Sequence, residues 1–413
     1  MMLLPLREKI KSVILEHTNI RHSLSPIYNL NFNPNRRQKR LAYVYLPQNH
    51  TAALIDSNVS HPNVFQHFIL LRVFEELGYI VDVYSCQNEE RLRTRTGKYD
   101  VVFGFGQEYI NLCNENPQAK KILFITENAP WVVKRKYQER IENWLEGHKK
   151  MISTVARNDF YTDEMFSISD CGVCLSGTYN ITGMEELLKP IEQLNVNVMP
   201  AQRYDAGIKD YDTTKKRFLW FGSRGLIHKG LDILIDAFAQ IPQYELNIYG
   251  APEKEIKELV LPTNVHNCGF IQVNSPEFLS EVASRHSFVL SLSCSEGMMS
   301  GIATCMMFGM IPVVTKETGY DDCPYALIFE DWHIESVINK IERCAQMENA
   351  KVKEIEQKVV NYAHSNYTNE HFEKCFIEIA KKLELSGVES NNLGGAICSA
   401  SNTTQCLIYE NAA

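Results

Sequence analysis

The 413-residue chain has no apolar run approaching the ~18 to 20 residues needed to span a bilayer. Its N-terminus, MMLLPLREKIK, meets charge too early for a signal peptide, so a cytoplasmic location is expected. An excess of positive charge is also missing. Lys and Arg number 42 against 50 Asp and Glu, a net charge of -8, and a chain so balanced is not built to coat a polyanion; nucleic acid is not an expected partner. Metal-type cysteine spacing is scarce as well. The 12 cysteines are scattered, and the one close pair, Cys171 and Cys174, has neither a second pair nor a His at zinc-site distance. They read as reduced core cysteines, and no metal is expected. No repeat of 20 to 50 residues appears. Apolar residues are not scarce: 45% hydrophobic and 22% charged excludes disorder as the main state and, at this length, provides two domains with a core each.

Residues 1–40 read as a lead-in, first an amphipathic helix and then an Asn-rich, Pro-containing stretch ending in Arg36-Arg37-Gln38-Lys39-Arg40. That cluster either is a solvated approach to the first strand or gives peripheral contact with an anionic membrane at its inner face. From residue 41 short β-rich runs alternate with helical stretches, the pattern of a parallel sheet wound with helices. Strands are expected at 41–47, 79–85, 100–106, 121–127, 171–177 and 196–201, forming one domain over 41–201. The apolar residues Phe65, Phe68, Ile69, Val73, Phe74 and Leu77 recur at helical spacing between the first two strands and stop at Gly78. Residues 202–215 are polar, with turn formers, and read as a linker. The alternation then restarts in a second domain over 216–385, which closes with helices at 333–347 and 350–384, the last placed to cross back onto the first domain. The tail 386–413 is Ser/Asn/Gly-rich and reads as flexible. The fold class is therefore α/β, two Rossmann-like domains facing across a cleft, with ligands expected at the carboxyl ends of the strands.

Two segments of the second domain follow strands and carry chemistry. In WFGSRGLIHKGLDILIDAF the turn from Gly222 to Gly225 lets backbone approach a ligand, and Arg224 and Lys229 can converge on it just ahead of a helix. A planar guanidinium and a compact ammonium suit a leaving group that gains negative charge, although a glycine turn with Lys at a helix start is also a common structural device. In SLSCSEGMMSGIATCMMFGMIPVV a strand is followed by Glu296-Gly297 and then by a helix whose first residues, Met298, Met299, Ser300 and Gly301, offer backbone N–H groups. A carboxylate beside such a helix end fits a sugar linked to a diphosphate, the acid taking hydroxyls and the helix end taking phosphate. The small residues Gly301, Ala303 and Thr304 equally suit plain helix–sheet packing.

The blocks FLWFGSRGLIHKGLDILIDAF, LNIYG, VHNCGFI and SEGMMSGIATCMMFGMIPVVTKETGYD, in that order over residues 217 to 320, resemble the GT-B glycosyltransferases of the retaining group called family 4, or glycosyl transferases group 1. The resemblance implies a nucleotide-diphosphate sugar as donor and a hydroxyl acceptor, in surface polysaccharide or glycoconjugate synthesis, without a cofactor or metal. It assigns Arg224 and Lys229 to the donor diphosphate and Glu296 to the first glutamate of an E-x7-E motif that contacts the donor sugar. Gly222, Gly225 and Met298 to Gly301 then cradle sugar and phosphate. The second motif glutamate falls at position 304, where this chain has Thr304, with one hydroxyl in place of a carboxylate; Glu317 is placed to supply the missing acid, or is an ordinary surface glutamate. On the acceptor side His61 and Glu127 are the candidates, with His61 also readable as a helix-capping residue before Pro62. The rival readings are a non-catalytic glycosyltransferase-like binding protein, motivated by Thr304, and a nucleotide-sugar epimerase on the same fold.

Overall fold

A computed structural model of the chain describes residues 26–46, 62–86, 97–149, 160–199, 204 and 209–387. The first domain contains strands β1 (Ile27–Leu30), β2 (Arg40–Tyr45), β3 (Ile80–Ser85), β4 (Val101–Gly104), β5 (Lys120–Ile125), β6 (Cys171–Leu175) and β7 (Ile191–Leu194). Between them run helices α1 (Pro62–Glu76), α2 (Gln107–Glu115), α3 (Pro130–His148), α4 (Asp163–Ile168) and α5 (Thr178–Met184). The sheet order is β1-β3-β2-β4-β5-β6-β7, parallel apart from the antiparallel β1–β3 pair. Helices cover both faces of such a sheet, which is why β3, β4 and β6 are buried at every position; β4 and β6 carry no charged residue, and the one charge in β3, Asp82, is paired with Arg40.

The second domain starts with α6 (Tyr211–Thr214) and β8 (Arg217–Phe221), followed by α7 (Leu231–Gln240), β9 (Glu245–Tyr249), α8 (Glu253–Ile256) and β10 (Val265–Asn267). After a π-helical stretch (Phe278–Ala283) come β11 (Phe288–Ser291), α9 (Ser300–Met307), β12 (Ile311–Val314) and β13 (Leu327–Ile328). The chain closes with α10 (Ile334–Ala345), α11 (Asn349–Asn366) and α12 (Asn369–Lys382). Its sheet runs β10-β9-β8-β11-β12-β13, parallel throughout.

Each domain has its own core, and each core borrows from the other half of the chain. Phe376 of α12 sits in the first core, its ring centroid 5.5 Å from that of Phe74 and 5.8 Å from that of Phe103. In the opposite direction Trp144 of α3 joins the second core. The linker is held by Lys209, whose Nζ donates to His286 O at 2.8 Å and to Glu356 Oε1 at 3.0 Å with both side chains fully buried.

Three sequence expectations are corrected. The last strand of the first sheet lies at Ile191–Leu194 and not at 196–201. Only Leu194 of the four is buried, so this edge strand lacks the apolar signature, whereas Val196 and Val198 carry that signature because they enter the second core. The described part of the lead-in forms β1, its Asn29 and Asn31 adopting positive φ and Asn29 N donating to Asp82 Oδ1 at 2.7 Å. Within the second domain, where the alternation SPEFLSEVASR (275–285) reads as an ordinary helix, residues Phe278–Ala283 are π-helical. Of the lead-in 1–40, expected to begin with an amphipathic helix, residues 1–25 lie outside the described residues, as do residues 388–413 of the tail.

Because Phe376 anchors α12 to a domain distant in sequence, Phe376→Ala is expected to destabilise the first domain by about 3–5 kcal/mol. A lowered denaturation midpoint on urea unfolding checks this; an unchanged midpoint would mean that α12 is not part of that core.

Candidate functional site

The loops after β8, β11 and β12 leave the carboxyl edge of the second sheet side by side. Gly230, at φ 68°, turns the first of these into α7; a Cβ there would stand 2.5 Å from Leu292 O, so only glycine lets the β8 and β11 loops meet. That contact delivers Lys229 to Glu296. Lys229 Nζ donates to Glu296 Oε1 at 2.6 Å, and Ser293 Oγ donates to the same oxygen at 3.0 Å. Both residues are almost fully buried, Lys229 at 7% and Glu296 at 4% exposure, so the ammonium and carboxylate depend on each other for charge compensation.

His228, which the sequence reading did not single out, belongs to the same cluster. It is buried, its Nε2 lies 3.8 Å from Glu296 Oε1, and the ring contacts Ser295 O and the Cys294 thiol. Its position directly before Lys229 was the available signal.

The other sequence candidates divide. Gly222 and Gly225 form the turn, but the N–H groups of Gly225 and Leu226 donate to Glu255 Oε2 at 2.9 and 3.1 Å. A carboxylate from α8 thus already holds the place expected for a phosphate. Arg224 is exposed on the turn, whereas Lys229 is buried. Met299 N donates to Thr318 O at 3.3 Å and Met298 Sδ accepts from Val196 N at 3.3 Å, so these two residues are engaged within the protein. Ser300 and Gly301 open α9, where Gly301 packs close to Phe221 O. Thr304 is buried, with its hydroxyl donating back to Ser300 O at 2.8 Å. Glu317 turns toward the first domain, its Oε1 lying 3.4 Å from Lys136 Nζ and 3.5 Å from Tyr179 OH. Its acid is committed to those first-domain groups. His61 lies outside the described residues. Glu127 is half-buried just past β5. Cys171 and Cys174 are buried in β6, and burial pushes the Cys171 thiol up to about 11 and that of Cys174 higher still.

The carboxyl edges of the two sheets meet directly. Asn180 of α5 donates through Nδ2 to the carbonyls of Glu296 at 3.1 Å and Glu317 at 3.2 Å, and Ser176 Oγ donates to Gly297 O at 3.1 Å. The N–H groups of Thr178 and Tyr179 donate to Asp322 and Asp321 at 2.8 and 2.7 Å. From the first domain α3 crosses the seam, with Arg140 Nη2 donating to Leu292 O at 2.5 Å and His148 Nε2 lying 3.3 Å from Asp236.

At the centre of the seam a Cβ on Gly297 would stand 2.4 Å from Thr126 O and 2.8 Å from Leu175 O. Both are backbone atoms that cannot turn aside. Gly297→Ala is therefore expected to cost about 1–3 kcal/mol and to force the domains apart. A lower Tm with a larger radius of gyration by small-angle scattering checks this; an unchanged radius would show that the seam gives elsewhere.

Residues 215–346 match the family model described as glycosyl transferases group 1. No curated protein matches the chain. Among solved structures, sucrose-phosphate synthase from Thermosynechococcus elongatus is similar at 12% identity and a TM-score of 0.53, over 84% of this chain and 99% of that one. HepE of Anabaena, in complex with UDP and glucose, is similar at 13% identity and a TM-score of 0.51, again over 84% of this chain and 99% of that one. A GtfA/B complex matches at 18% identity over 70% of this chain, with a TM-score of 0.47, and this chain spans 58% of that one. At these identities the likeness is one of fold. With two facing α/β domains and a matched segment that begins at β8 and ends beside α10, the chain has the GT-B glycosyltransferase fold, and its second domain is similar to the glycosyl transferases group 1 domain.

Proposed function

We propose that the protein is a glycosyltransferase that moves a sugar from a nucleotide-diphosphate sugar to a hydroxyl acceptor, with retention, in surface polysaccharide or glycoconjugate synthesis. The observation that carries this reading is the buried Lys229–Glu296 pair, set at the carboxyl edge of the second sheet and facing the carboxyl edge of the first. On donor binding Lys229 turns its ammonium to the phosphate and Glu296 accepts from sugar hydroxyls, so each exchanges one charged partner for another. Positive charge from Lys229, with Arg224 folding in from the surface, stabilises the departing diphosphate in place of a metal or cofactor. Acceptor and sugar meet between Glu127 and Glu296, and the protein's contribution is position and fixed charge. The seam must part to admit a donor.

Arg36 and Arg37 are exposed and support peripheral contact with an anionic membrane surface, whereas Arg40 is committed to Asp82 at 2.6 Å. Among the described residues no helix is long and apolar enough to cross a membrane.

A second reading, a glycosyltransferase-like binding protein without turnover, is favoured by two observations. Glu255 takes the N–H groups of the glycine turn, and Thr304 stands where the motif has its second glutamate.

Incubation with a panel of UDP-, GDP-, ADP-, dTDP- and CMP-sugars, with nucleotide release as readout, separates the readings. Release from one donor, reduced by about a hundredfold or more in Lys229→Ala, is expected. Absence of donor binding by calorimetry would overturn the transferase reading, and interconversion of donors without an acceptor would indicate an epimerase. Thr304→Glu, which restores the second carboxylate, is expected to tighten donor binding by about tenfold; weaker binding would show that the donor contacts this helix differently.

A further inference from the structure

A cavity of about 20 Å³ lies where α3 crosses the seam, lined from the first domain by Lys136 and Arg140 and from the second by Ser293, Cys294, Glu317 and Trp332. It is one hydroxyl away from the reacting centre, since Ser293 also donates to Glu296 Oε1. Lys136 and Arg140 are one helical turn apart, so both present their charges to the same side of α3.

Arg140 is unusual among the charges here. Its side chain is 2% exposed, and its guanidinium lies 4.8 Å from the centre of the Trp332 ring. Nη2 donates to Leu292 O and the guanidinium also hydrogen-bonds the Cys294 thiol, while Nη1 is buried with no hydrogen-bond partner. The acids of the cavity are already taken, Glu317 by Lys136 at 3.4 Å and Glu139 by Arg135 at 3.9 Å. Among the described residues no carboxylate is hydrogen-bonded to Arg140. Asp232 feels its field: burial pushes that carboxyl up to about 6 while Arg140 pulls it back, and it accepts from the N–H of Ile233. A buried guanidinium with an unused N–H, held over an indole and oriented by a backbone carbonyl, is a preorganised receptor for an oxyanion.

We propose that Arg140 and Lys136 form an anion subsite that the first domain contributes to the reaction centre, and that it takes a phosphate or carboxylate carried by the acceptor. The assignment to the acceptor rests on the transferase reading above, in which the first domain holds the acceptor and Lys229 serves the donor. In the closed seam the cavity has room for about one water, so the anion enters as the domains part. It then takes the free N–H of Arg140 and displaces Glu317 from Lys136.

The test is calorimetric titration of inorganic phosphate, and separately of UDP, into the full-length protein and its Arg140→Gln, Lys136→Met and Lys229→Ala variants. Phosphate affinity is expected to fall by about tenfold or more in Arg140→Gln and in Lys136→Met, and to hold in Lys229→Ala. UDP affinity is expected to fall only in Lys229→Ala. If Arg140→Gln does not fold, as judged by circular dichroism, the half-buried Lys136→Met carries the comparison. Phosphate binding indifferent to both α3 variants would overturn the subsite. Loss of UDP binding in Arg140→Gln equal to that in Lys229→Ala would overturn the acceptor assignment, because the anion would then be the donor's diphosphate. Should UDP fail to bind the unaltered protein while phosphate still distinguishes the α3 variants, the donor reading falls and the anion subsite stands.

Discussion

Glu296 is held from two directions, and the rest of the site depends on that. Its carboxylate takes the Lys229 ammonium and the Ser293 hydroxyl, while its backbone N–H donates to Glu317 O and its carbonyl accepts from Asn180 of the other domain. A buried carboxylate and ammonium each carry a desolvation cost of several kcal/mol, which only mutual contact and further hydrogen bonds offset. Removing either partner would therefore leave a stranded charge, and the loops after β8, β11 and β12 are positioned as one unit by that requirement.

The same constraint ties site geometry to the relation between the domains. Asn180 reads the backbone of both the β11 and β12 loops, so the first domain stabilises the shape of the second sheet's carboxyl edge only while the seam is closed. Most of the seam is polar, built from Asp321, Asp322, Asn180 and Arg140, and polar groups can exchange protein partners for water or ligand at modest cost. Trp144, committed to the second core, and Ile141 and Leu145 packed against it are the apolar part, and they make α3 the natural pivot or strap of any opening.

Carboxylates also occupy places where the chain offers donors to an anion. Glu255 sits on two N–H groups of the glycine turn, and Asp321 and Asp322 sit on the first N–H groups of α5. Each is an internal stand-in that a stronger or better-shaped anion must displace, which sets a threshold on the ligands the cleft accepts. Arg140 is the place where no such stand-in is hydrogen-bonded.

Much of this was legible in the chain itself. Doubly wound sheets bury their strands on both faces, so apolar runs such as LAYVYLP and FVLSLSC announce themselves, and Lys229 and Glu296 stand at strand ends where parallel sheets place ligand contacts. The edge strands were hidden for the same reason: Ile191–Leu194 and Ile27–Leu30 are not buried on both faces and carry no such signature. Motif spacing placed Arg224 and Lys229 on one turn, but spacing does not say which of them is buried: Lys229 is, and Arg224 is exposed. Local sequence determines which segments are strands, turns and helix starts, because those depend on periodicity and backbone freedom. That α3 crosses to the second domain, that Glu255 answers the glycine turn and that Arg140 is buried with an unused N–H were decided only by tertiary packing, since each joins residues from separate elements whose meeting no local pattern encodes.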